Sequence, residues 1–105
     1  MNSITLRPEI CELYALKEFI INELGEKNIQ VDLIIEEIFV NIVDYSKTDF
    51  IIVNAEFRKP TLTVEFIDNG IEFNPLLKEN PPLPGNIDEA QIGGLGIFLT
   101  KEIAD

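Results

Sequence analysis

The pattern of apolar and polar positions changes period several times along the chain, and each change predicts an element. Asn2 to Leu6 alternates short polar and apolar residues and reads as an edge strand closed by Pro8. From Glu9 the spacing becomes helical, with Ile10, Leu13, Leu16, Ile20 and Leu24 recurring until Gly25. A second amphipathic helix is predicted from about Gln30 to Ser46, its apolar arc formed by Val31, Ile34, Ile35, Ile38, Phe39, Ile42 and Val43. Two β-rich runs follow, Phe50 to Phe57 and Leu62 to Ile67, joined across Arg58, Lys59, Pro60 and Thr61 as a hairpin. Pro75, Pro81, Pro82, Pro84, Gly85 and Asn86 then mark a long irregular loop, a feature that compact domains keep mainly for function. Gly93, Gly94 and Gly96 are read as opening a last helix, Leu95 to Ala104.

Composition narrows what such a domain does. The chain has 105 residues, enough for one domain and one modest core, and 46% of them are apolar. Its 8 Lys and Arg face 19 Asp and Glu, a net charge of −11. A nucleic-acid or anionic-membrane surface needs clustered cations to displace counterions, so neither partner is expected. No apolar run approaches the roughly 20 residues of a membrane span. The single Cys11 cannot form an internal disulfide and no signal peptide is evident, which fits the cytoplasm. The absence of histidine removes histidine bases, histidine phosphoacceptors and most zinc sites.

Three constellations carry candidate chemistry, and each alone also admits an ordinary structural reading. On the second helix, Glu37, Asn41 and Asp44 form a stripe along one flank of the apolar arc, whereas Glu36 projects from the other side. A carboxylate and an amide oxygen about 6 Å apart at the border of a core can hold a water or a hydrated Mg²⁺; the bland alternative is a polar helix edge. Asp68, Asn69 and Gly70 end the strand Leu62 to Ile67 as a turn, or as a carboxylate for a ligand amine beside a glycine that admits close approach. Gly93, Gly94, Leu95 and Gly96 at a helix start would aim backbone N–H groups at a phosphate, although neither the Walker nor the dinucleotide pattern is present.

The order of the three is more specific than any one of them. In the stretches "EEIFVNIVDYSK", "VEFIDNGIEFNP" and "GGLGIFLTKEIAD" the chain resembles the ATP-binding domain of gyrase-type, chaperone and histidine-kinase ATPases, and within that superfamily the anti-sigma factor serine kinases. The resemblance implies a single α+β domain over residues 1–105. Its architecture would be a two-layer sandwich of the histidine-kinase-like ATPase type, a mixed, mostly antiparallel sheet covered on one face by helices. It further implies that Asn41 coordinates Mg²⁺, Glu37 is the general base, Asp68 recognises adenine with Gly70 beside the ring, and Gly93, Gly94, Leu95 and Gly96 bind the phosphates. Residues 71–92 would form a lid.

Several positions depart from the family pattern. Glu72 stands where another glycine is usual, and Ile92 where some relatives have arginine, leaving Lys78 or Lys101 to stand near the phosphates. Relatives continue into further strands, so the C-terminal strands are expected to be missing, through truncation or completion of the sheet by another chain. The function implied is an ATP- and Mg²⁺-dependent serine/threonine kinase that phosphorylates an antagonist (anti-anti-sigma) protein and sequesters a sigma factor, with a homodimer as a further expectation. The alternative is a nucleotide-binding interaction module without transfer chemistry. A histidine-kinase ATPase half is disfavoured by the missing histidine and coiled coil.

Overall fold

The computed structural model describes residues 1–70 and 87–103. Its elements are β1 (Asn2–Leu6), a 3-10 turn (Ile10–Glu12), α1 (Leu13–Leu24), α2 (Ile29–Tyr45), β2 (Ile51–Arg58), β3 (Thr61–Asp68), β4 (Ile87–Ile92) and β5 (Leu95–Ile103). The strands form one five-stranded sheet in the order β1-β2-β3-β5-β4, antiparallel throughout except for the parallel pair β3 and β5. The expected mixed, mostly antiparallel α+β sandwich is therefore the architecture found.

Period-2 alternation decides which face of the sheet is covered. Ile51, Val53 and Ala55 of β2, Leu62, Val64 and Phe66 of β3, and Ile97 and Leu99 of β5 are all buried, while the residues between them are more accessible. Leu16, Ile20 and Leu24 from α1, with Val31, Ile35, Ile38, Phe39 and Ile42 from α2, complete this core. The helical periodicities in the sequence thus name most of the residues that pack on the sheet; the exception is Ile10, which lies exposed in the 3-10 turn, α1 beginning at Leu13 and not at Glu9. Asn28 caps α2, its side-chain oxygen accepting from the backbone N–H of Gln30 at 3.0 Å and of Val31 at 3.2 Å. Lys17 of α1 reaches Glu36 of α2 at 2.6 Å, but both are partly exposed, so this pair contributes less than about 1 kcal/mol.

The C-terminal segment corrects the sequence reading. Leu95 to Ile103 is a strand, not the predicted helix. The run has apolar positions at both periods: Leu95, Phe98 and Leu99 suit a helix, whereas Ile97, Leu99 and Lys101 alternate inward with Phe98 and Glu102 outward. The strand reading wins because it supplies a partner for the edge of β3 along its whole length, Thr61 to Asp68 opposite Gly96 to Ile103. Gly93 and Gly94 are consequently the two-residue loop of the β4–β5 hairpin, with Ile92 opposite Leu95. Gly93 has φ +60, and a positive φ at the first loop position matches a II′ hairpin turn, where glycine is favoured. Of the expected lid, residues 71–86 lie outside the described residues and Ile87–Ile92 is strand β4. Among the described residues no helix is long and apolar enough to cross a membrane.

Two substitutions test this packing. Phe39→Ala, at a side chain with no exposed surface, should lower stability by about 3–5 kcal/mol. Asn28→Ala should cost about 1 kcal/mol through the lost cap. Both losses are read from the shift of the urea-unfolding midpoint.

Candidate functional site

The end of β3 is held by a set of polar contacts that begins with Asp68, whose side chain is completely buried. Alternation along β3 turns Asp68 to the covered face, beneath the C-terminal end of α2, where Ser46 follows the last helical turn. The Ser46 hydroxyl donates to Asp68 Oδ1 at 2.7 Å, and the Gly70 backbone N–H donates to the same oxygen at 2.8 Å. Asp68 Oδ2 faces Lys101 Nζ of β5 at 3.0 Å, with the lysine side chain buried to 1% exposure. A buried carboxylate is tolerated only with such compensation, and removing one partner of a buried ion pair costs roughly 3–5 kcal/mol.

Beside it, the segment after α2 is stapled to the turn after β3. Asn69 N–H donates to Thr48 Oγ1 at 3.0 Å, and Asp49 N–H donates to Asn69 Oδ1 at 2.9 Å. The Thr48 hydroxyl also lies 2.7 Å from the Phe50 carbonyl. Gly70 fits here only because it has no side chain: a Cβ would sit 1.9 Å from the Ser46 carbonyl oxygen and 2.1 Å from its hydroxyl. The sequence reading singled out Asp68 and Gly70 and missed Ser46 and Thr48. Short hydroxyl residues directly after a helix, facing an Asp-Asn-Gly turn, are the signal that could have found them.

Glu37 and Asn41 lie one turn apart on α2, Glu37 exposed and Asn41 6% exposed at the edge of the core. Asn41 precedes Ser46 by five helical steps, about 7.5 Å along the axis, so this flank runs toward the Asp68 end of the sheet. The glycines do not join that group. Gly96 stands opposite Thr61, and its N–H is committed to the Pro60 carbonyl at 2.8 Å. The Gly93–Gly94 turn therefore lies beyond the hairpin end of β3, where Thr61 is already seven residues, about 23 Å, from Asp68, and it follows strand β4, not a helix that could supply a dipole. Leu95 is half-buried at the start of β5. A surface hollow of about 520 Å³ between Met1, Glu56, Arg58 and Pro60 occupies the same hairpin end. Of the two lysines offered as a substitute cation, Lys101 is the partner of Asp68 and Lys78 is outside the described residues.

Residues 14–105 match the family model of the histidine kinase-like ATPase domain. The chain belongs to that family. No curated protein and no solved structure matches it. Members of this ATPase family bind ATP, typically with Mg²⁺, and the donors here can be tested against both. Mg²⁺ takes one or two protein oxygens and completes its shell with water and phosphate, so the Asn41 amide oxygen can serve as its protein ligand. The adenine end fits in residue type but is engaged: both Asp68 oxygens already have protein partners.

Gly70→Ala should destabilise the protein by about 1–3 kcal/mol or more. Ser46→Ala should cost about 1–3 kcal/mol by removing a donor to a buried carboxylate. The double variant should not recover the Gly70→Ala loss, because the clashing Ser46 backbone carbonyl remains. Denaturant titrations of the three variants measure this.

Proposed function

We propose that the chain is an ATP-dependent serine/threonine protein kinase of the anti-sigma factor type, which phosphorylates an antagonist (anti-anti-sigma) protein and sequesters a sigma factor in the cytoplasm. The observation that carries the reading is the pair Glu37 and Asn41, a carboxylate open to solvent and an amide at the core edge, on the α2 flank leading to Asp68 in a chain of the ATPase family. Mg²⁺, when bound, neutralises charge on the phosphates. The Asn41 amide oxygen would hold the ion, and Asp68 with Gly70 would recognise the adenine amino group. The attacking serine or threonine oxygen forms a bond to the γ-phosphorus, the bond to the ADP oxygen breaks, and the hydroxyl proton passes to the Glu37 carboxylate. Positioning and charge neutralisation supply most of such catalysis, which suits a site with few ionisable groups.

With γ-labelled ATP and an anti-anti-sigma protein as acceptor, Glu37→Gln should lower transfer by about 10²–10⁴-fold while ATP still binds. Unchanged transfer would reject Glu37 as the base. Bound ATP with no labelled product from the unsubstituted protein would leave a nucleotide-binding interaction module in place of the kinase.

A further inference from the structure

We infer that Lys101 is an internal competitor of the nucleotide: the Asp68–Lys101 ion pair closes the adenine end of the site, and ATP or ADP binds only when Lys101 is displaced from the carboxylate. The inference rests on the nucleotide-binding reading above and specifies how access to that site is controlled.

A carboxylate offers about four acceptor positions, two on each oxygen. Asp68 Oδ1 already accepts from the Ser46 hydroxyl and the Gly70 N–H, both supplied by segments stapled together through Thr48, Asp49 and Asn69. That oxygen is occupied by the scaffold itself. Oδ2 is the remaining acceptor for an exocyclic amine, and Lys101 Nζ lies 3.0 Å from it with neither side chain accessible to solvent. Oδ2 keeps a second lone pair, but Asp68 has no exposed surface, so an adenine amino group reaches that oxygen only when the ammonium packed against it moves aside. Lys101 is also the partner carried on a long side chain. It sits near the end of β5, beyond Ile97 and Leu99, on a flexible four-carbon stem, whereas Ser46 and Gly70 are fixed by backbone contact. Apparent nucleotide affinity is then reduced by the fraction of molecules in which the pair is open.

The test begins with the unsubstituted protein. A slowly exchanging lysine ammonium signal is expected in ¹⁵N-edited spectra of the free protein, assigned by its absence from Lys101→Arg, and saturating Mg²⁺–ADP should abolish it. In calorimetric titration, folded Lys101→Met should bind Mg²⁺–ADP about tenfold or more tightly than the unsubstituted protein, or bind it where the latter does not. If Lys101→Met fails to fold, the spectra decide alone. Bound ADP with the Lys101 signal unchanged, no protected Lys101 signal in the free protein, or equal affinity in folded Lys101→Met would overturn the competition while leaving nucleotide binding intact. No ADP binding by either protein would overturn both readings.

Discussion

The ion pair between Asp68 and Lys101 is the constraint from which the C-terminal half of the fold follows. It links β3 to β5 across their parallel pairing and lies under the end of α2. Lys101 must point inward to meet Asp68, which turns Ile97 and Leu99 inward and Phe98 and Glu102 outward. A one-residue slip of β5 would bring Glu102 to the covered face, replacing an attraction with two like charges in the core. The pair therefore specifies register as well as joining strands. It does so in a small core, where an unpaired charge would consume a large part of a stability of 5–15 kcal/mol typical of such domains.

The same constraint separates what was legible in the sequence from what was not. Both helices and the β2–β3 hairpin could be read because their apolar positions keep one period over many residues, and because Gly25, Asn28 and Pro60 punctuate them. Asp68 and Gly70 were visible as an unusual strand end. The segment after Gly94 was not, because Leu95, Phe98 and Leu99 satisfy a helical period as well as Ile97 and Leu99 satisfy a strand period. Only pairing with β3, a contact distant in sequence, decides between them. Lys101 drew attention as a cation near a glycine-rich segment; its burial depends on that same undecided pairing.

Several of the candidate site residues gather toward one end of the sheet. Ser46, Asp68 and Gly70 mark that end, Asn41 lies on the last turns of α2 leading to it and Glu37 at the middle of the helix, whereas the glycine turn stands at the other end. Family membership accounts for nucleotide binding in general, and the α2 flank accounts for where metal and phosphate chemistry would be supported. With 19 acidic against 8 basic side chains, a bound polyphosphate would need a metal ion to offset its charge.

The reading of Asp68 and Asn41 as the two ends of one nucleotide site is checked by a crystal structure of the chain with Mg²⁺ and ADP. It predicts the adenine amino group within hydrogen-bond distance of Asp68, Mg²⁺ coordinated by Asn41 Oδ1, and Lys101 withdrawn. A nucleotide bound elsewhere, or one bound beside an intact Asp68–Lys101 pair, would contradict it.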